Sequence, residues 1–206
     1  LPAPDPEPPA HAAPLLGLLP GSRRGEIRRH LGLFLQTADR LTQDLPNLRC
    51  ALFAAPSIPD DFYNPLLARH PHRTFPLEIV REEHYAQRAQ LDLALTCSGT
   101  ATLENALLGI PMLVVYKMSW ITYGLARALI RVEHIAMANI LAGKKLVPEL
   151  IQDQASPALL AQEALRLLKD PQERLRVRRE LLSLRQQLGG PGAADRAAAE
   201  IIQALG

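Results

Sequence analysis

The chain has 206 residues, of which AVILMFWYC make up 48% and charged residues 21%. That length suits one full α/β domain with a sizeable core and is short for two, and the balance is that of a soluble, globular chain. A formal net charge of +2 gives no argument for a nucleic-acid partner. The two cysteines, Cys50 and Cys97, each border an apolar run, which predicts free buried thiols in a reducing compartment rather than a disulfide. No apolar run reaches the length of a membrane span, and no signal peptide opens the chain.

Leu1–Pro14 is dense in proline and alanine with no hydrophobic period, so an extended, poorly ordered linker is expected there. The chain opens on Leu rather than Met, as after a cut in an interdomain linker. Leu15–Leu19 reads as a first strand running into Pro20-Gly21-Ser22-Arg23. A helix over 26–43 follows, with Ile27, Leu31, Leu35 and Ala38 as its apolar stripe. Gly21 and Ser22 let backbone approach an anion, and Arg23 offers a forked guanidinium suited to phosphate. This is neither a Walker loop nor the dinucleotide G-x-G-x-x-G pattern. Leu48–Ala54 reads as the next strand, broken by Pro56 to Pro59. A helix over 60–69, a short strand over 73–75 and a helix over 81–89 are predicted after it. His70 and His72 flank Pro71, and no His or Cys spacing fits a ligand set, so no structural metal is expected.

The chain is organised around the stretch from Leu91 to Lys117. Leu91–Thr96 reads as a buried strand, Ser98-Gly99-Thr100 as a turn with capping hydroxyls, and Thr102–Leu108 as a helix stopped by Gly109 and Pro111. Met112–Tyr116 is then a second buried strand. A strand–loop–helix–strand unit belongs to a parallel sheet, and its loop falls where such sheets bind ligands. With Thr100 as N-cap, Glu104 lies one residue too late for a capping box. Two readings of Glu104 stand: an acid near the positive end of a helix, or a carboxylate accepting hydrogen bonds from a sugar diol.

Trp120–Ile130 is apolar nearly all round and predicts a helix buried in the core or at a subunit contact, with docking on a membrane surface as the lesser reading. Asn139 sits among apolar residues and needs partners if buried; a loop or cap role is the plain alternative. Lys144 and Lys145 read as solvent-facing. Ser156-Pro157 starts a helix, Pro171 another with Val177, Leu181, Leu184 and Leu188 at helical spacing, and a last helix follows over 193–205. The expected organisation is a linker (1–14), an α/β lobe (15–154) and C-terminal helices (155–206) that pack on the lobe or a partner subunit.

Taken together, Leu19-Pro-Gly-Ser-Arg23, Ser98-Gly-Thr-Ala-Thr-Leu-Glu104, Pro111-Met112, Tyr116-Lys117, Asn139-Ile-Leu-Ala-Gly143 and Pro148-Glu149-Leu-Ile-Gln152 resemble lipid-A-disaccharide synthase. The resemblance runs from about Leu15 to Gln154. It implies an inverting glycosyltransferase of the two-lobed GT-B fold, of which this chain is the C-terminal, Rossmann-like lobe: a parallel sheet flanked by helices, with a helical tail. It implies that Gly21, Ser22 and Arg23 meet the diphosphate or donor. Ser98, Gly99, Thr100 and Thr102 would line the phosphate loop, and Glu104 would take the ribose. Asn139, Glu149 and Gln152 would complete the donor pocket. The family is similar to domain-swapped dimers, so Asn139 is expected to serve this or the other subunit's site.

The implied reaction joins UDP-2,3-diacylglucosamine to 2,3-diacylglucosamine 1-phosphate and releases UDP, without a cofactor. The acceptor site and the base would lie in an N-terminal lobe absent from this chain, so the isolated chain would not turn over. Cytoplasmic placement follows, with a peripheral position at the inner face of the inner membrane. A UDP-sugar 2-epimerase lobe and a non-catalytic nucleotide-binding or dimerisation module are the alternatives. An epimerase would need acid/base carboxylates and a histidine in the cleft.

Overall fold

Leu15–Leu19 (β1) is apolar along its length and buried from Leu16 onward, the pattern of a strand covered on both faces. In the computed structural model, which describes residues 12–81, 85–117, 134–188 and 192–205, it leads into α1 (Arg24–Leu41). The chain continues through β2 (Arg49–Phe53), α2 (Asp60–Leu67), β3 (Leu77–Val80), β4 (Leu93–Cys97), α3 (Thr100–Leu107) and β5 (Met112–Tyr116). After the next described segment begins come α4 (Met137–Ala142), β6 (Glu149–Ile151), α5 (Pro157–Lys169), α6 (Pro171–Gln187) and α7 (Ala193–Leu205).

The six strands form one sheet in the order β3-β2-β1-β4-β5-β6, and every pairing is parallel. The first half of the chain therefore builds outward from β1 in one direction and the second half outward from β4 in the other. With right-handed crossovers, this reversal sends α1 and α2 to one face and α3 to the opposite one. Contacts agree: α1 packs against α2 and α5, whereas α3 packs against α4 and α6. At the sheet centre the fit is close. A Cβ on Gly17 of β1 would lie 2.3 Å from the Leu91 Cδ1. The buried Asp92 accepts the Leu15 N–H at 2.9 Å, and Arg174 of α6 lies 3.8 Å from its other oxygen, tying the second-face helices to the start of β1.

Helix starts follow local chemistry. Ser156 and Asp170 cap α5 and α6 by accepting the Leu159 and Glu173 N–H groups, with proline at the first helical position in both. The helix after β1 begins at Arg24 rather than residue 26, which places Glu26 in its first turn. The helix after β4 begins at Thr100 with Gly99 as N-cap, so α3 has no acid in its first turn. The helix-end reading of Glu104 loses its basis there.

Two expected elements differ. The strand predicted over 73–75 is a turn, and the ladder instead begins at Leu77. Arg73 donates to the carbonyls of Leu67 and His70, and the Thr74 N–H is taken by Asp39. These bonds hold the stretch to helix ends, and Pro76 has no N–H for a ladder. Of the helix predicted over 81–89, the described residues show only a 3₁₀ turn at Arg88–Gln90, and Tyr85 has φ +62°, outside helical backbone. Strand β6 is too short, at three residues, to show a period in sequence. The expected helix at Trp120–Ile130 and most of the Leu1–Pro14 linker lie outside the described residues.

Cys50 and Cys97 are free and buried. Among the described residues no helix is long and apolar enough to cross a membrane.

His30 on α1 is buried, with Nδ1 2.9 Å from the Glu26 carbonyl oxygen, and burial holds its pKa below the usual 6.5. A base held neutral in the folded state leaves stability whole above 6.5. Below that value the unfolded chain takes up a proton that the folded chain refuses, and stability falls. Urea unfolding between pH 7 and 5 should show this decline, at most about 1.4 kcal/mol per pH unit, and His30→Leu should flatten it.

Candidate functional site

Where the strand order reverses, the loops leaving β1 and β4 diverge to opposite faces and open a crevice beyond the strand ends. A cleft of about 610 Å³ lies there, within the range of small-molecule sites. Its floor is Gly21, Ser22 and Arg23 from the first loop and Ser98, Gly99 and Thr100 from the second. Phe53, Val80, Tyr85, Arg88 and Glu104 form the side under β2 and β3. Arg23 and Glu104, 81 residues apart in the chain, thus face one cavity.

The first loop turns on Gly21, whose φ is +120°. A Cβ at that position would stand 2.6 Å from both the Cβ and Oε2 of Glu26. Glu26 Oε2 accepts from the backbone N–H groups of Ser22 and Arg23 at 3.1 and 3.2 Å. Its Oε1 accepts from Arg23 Nη1 at 2.9 Å. The second loop leaves open space at Gly99, where a Cβ would meet nothing within 4 Å. The N–H groups of the first turn of α3 point outward from the helix end, as such groups do, and favour an anion.

Glu104 is held by a residue that carries no motif. Arg88 Nη1 donates to Glu104 Oε2 at 2.6 Å, and the Arg88 guanidinium lies 5.4 Å from the Phe53 ring centre and 5.0 Å from that of Tyr85. Among the described residues nothing pairs with Glu104 Oε1, which leaves one carboxylate oxygen for a ligand. Cys97 Sγ also borders the cleft, and burial first, then the Glu26 charge, pushes its thiol up to about 12. It is therefore an uncharged wall atom at neutral pH.

Four of the expected donor-pocket residues are not brought to this cleft. The Thr102 hydroxyl is buried and donates to the Gly99 carbonyl at 2.7 Å, so it braces the loop from behind. The fully buried Asn139 donates to the Val147 carbonyl and to Glu149 Oε1 and accepts the N–H groups of Leu146 and Val147. Glu149 further accepts from the N–H groups of Ile135 and Ala136. With these bonds made, Asn139 and Glu149 fasten the approach to β6. Gln152, at φ +50°, lines a separate depression with Arg29 and Lys117. Sequence reasoning missed Glu26, Tyr85 and Arg88 as cleft residues. The three-residue spacing from Arg23 to Glu26 was the one available signal, that of a helix-capping acid.

Among the described residues no group of His, Cys, Asp and Glu could hold a metal ion, and no histidine lines the cleft. Among the described residues the carboxylates lining the cleft, Glu26 and Glu104, are each paired with an arginine.

A doubly wound parallel sheet with a crevice at its switch point is the fold of one lobe of GT-B glycosyltransferases. Solved structures agree on the fold. HepE of Anabaena, in complex with UDP-glucose, superposes with a TM-score of 0.61 at 14% identity, covering 94% of this chain and 49% of that one. WaaG, a glycosyltransferase involved in lipopolysaccharide biosynthesis, superposes with a TM-score of 0.58 at 17% identity, covering 92% and 47%. The pattern of the lipid-A-disaccharide synthetase family matches residues 9–202, and the chain belongs to that family. The lipid-A-disaccharide synthase of Nitrosococcus oceani is 39% identical over 92% of this chain and 48% of its own length. That of Syntrophus aciditrophicus is 42% identical over 89% and 47%. The chain spans about half the length of these relatives.

Asn139→Ala should strip partners from two buried N–H groups and from Glu149, lowering stability by about 3 kcal/mol in urea unfolding. Ligand binding at the distant cleft should persist at temperatures where the variant stays folded.

Proposed function

We propose that this chain is the donor-binding half of an inverting glycosyltransferase that transfers 2,3-diacylglucosamine from UDP to 2,3-diacylglucosamine 1-phosphate. The observation that carries the reading is the convergence of Arg23 and Glu104 on one switch-point cleft. The free Glu104 oxygen would accept from the ribose hydroxyls. The base would lie in the recess of Phe53, Val80 and Tyr85, and the diphosphate would span from the start of α3 to Arg23. Relatives of this fold were solved with UDP-glucose and thymidine diphosphate, which supports a nucleoside-diphosphate ligand.

The chemistry of this half is stabilisation of the leaving group. As the acceptor hydroxyl attacks the anomeric carbon, the C–O bond to the UDP β-phosphate breaks and negative charge grows on the departing oxygen. The N–H groups at the start of α3, and the Arg23 guanidinium once it has turned from Glu26 to the diphosphate, would stabilise that charge. The acceptor's site and the base that takes its proton belong to the other half. Homodimerisation by exchange of the C-terminal helices, and action in the cytoplasm at the inner face of the inner membrane, complete the proposal. A 2-epimerase is disfavoured because the family model and the curated relatives at about 40% identity are lipid-A-disaccharide synthases. A non-catalytic nucleotide-binding module remains the description of the isolated chain.

Calorimetry with UDP should give a Kd on the order of 10 µM to 1 mM. Glu104→Ala should weaken UDP about tenfold, the worth of one charge-assisted bond near 1.4 kcal/mol, and leave pyrophosphate binding unreduced. A folded sample that takes up no UDP would refute the assignment. Equal losses for both ligands would remove the ribose role of Glu104.

A further inference from the structure

Three donors converge on Glu26: the backbone N–H groups of Ser22 and Arg23 and the Nη1 of Arg23. This is the donor set that a phosphate oxygen takes in an anion-binding nest. Here the nest is already filled by the chain's own carboxylate. The loop is shaped for that occupant, because Gly21 alone leaves room for Glu26 Oε2, 2.6 Å from where a Cβ would stand. The carboxylate is not sealed in. Glu26 lines the cleft, and its side chain is 26% exposed while that of Arg23 is 83% exposed. A pair so open to water is weakly held and can be parted.

We propose that Glu26 is a resident anion that guards the phosphate nest, so that only an anion also gripped through its nucleoside displaces it. This rests on the reading of the cleft as a nucleoside-diphosphate site. Free phosphate or pyrophosphate arriving at the loop meets a like charge and filled donors, with only the start of α3 to offset the displacement. A nucleoside diphosphate brings its ribose to Glu104 and its base to the recess beside Tyr85, and these contacts drive Glu26 aside. Arg23 and the two N–H groups then turn to the diphosphate. Glu26 is thus a specificity-determining residue whose removal loosens selectivity instead of abolishing binding.

The test is calorimetry of the 206-residue chain and of Glu26→Gln with inorganic pyrophosphate, uridine and UDP at low ionic strength. The amide introduced by this substitution is neutral and can still accept from the loop N–H groups, so the helix cap is kept while the charge is removed. Glu26→Gln should bind pyrophosphate at least about fivefold tighter, the factor expected when one like charge in contact through water is removed. The ratio of UDP to pyrophosphate affinity should fall, and uridine binding should not change. Pyrophosphate binding that is unchanged or weaker in Glu26→Gln would overturn the proposal, as a purely structural cap would give that result. Should the variant not fold, the unaltered chain decides by amide NMR. The Ser22 and Arg23 signals should shift with UDP and stay in place with pyrophosphate at equal concentration; equal shifts with both would overturn it. The pyrophosphate arms contain no nucleoside, so a failure to bind UDP tells against the donor-site reading and is distinguishable from a failure here.

Discussion

The parallel pairing of β1 with β4, Leu16 against Leu93 through Leu19 against Thr96, is the constraint on which the site depends. These two strands are the innermost and are buried on both faces, so their ends cannot shift without disturbing the core. Their chains leave the sheet at one edge and turn to opposite faces, which is why a crevice must form between them. Residues far apart in sequence become the two banks of that crevice. Arg23 stands on one, at the start of α1, and Glu104 on the other, within α3, each only a few residues beyond a rigid strand. A site built this way is positioned by the sheet and not by the loops themselves.

The charges in the cleft are arranged as two pairs, Arg23 with Glu26 and Arg88 with Glu104. The pairs differ in setting. Arg88 is mostly covered and lies against the rings of Phe53 and Tyr85, so it holds one oxygen of Glu104 in place and leaves the other available. Arg23 is largely in solvent and its bond to Glu26 is replaceable. The fixed pair suits recognition of a neutral diol, where direction matters most. The loose pair suits an anion, where charge must be released and regained. The modest net charge of +2 is consistent with a protein that places a few cations with care and does not rely on a broad positive surface.

A second polar cluster has the opposite purpose. Asn139 and Glu149 together satisfy five backbone N–H groups or carbonyls around α4 and the start of β6. In a buried setting such a network is stable only when every member is paired. It holds the far strand of the sheet in register, and Gln152 beyond it faces a depression shared with Arg29 and Lys117. Asn139 drew attention in the sequence as an amide among apolar residues, and Glu149 and Gln152 only through the family resemblance; a polar group in an apolar stretch marks binding sites and structural networks alike.

The sequence by itself determined the parallel α/β architecture, the helices begun by Ser156-Pro157 and Pro171, and the two glycine-containing turns at Gly21–Arg23 and Ser98–Thr100 that border the cleft. Each is written locally, as an apolar run of strand length, a capping side chain or a glycine turn, and local signals survive without knowledge of the fold. It also carried enough ordered motifs to point to the right family. Tertiary structure alone decided what the polar side chains do. Arg88 could be matched to Glu104 only by the packing of the β3–β4 connection against α3, and Asn139 could be turned inward only by the path of the chain into β6. The helix after β1 starts two residues earlier than its apolar stripe suggests, and that small difference puts Glu26 under the Gly21 turn. Side-chain partnership over long sequence separation depends on where strands sit in a sheet, and strand order leaves no mark on the residues of any one strand.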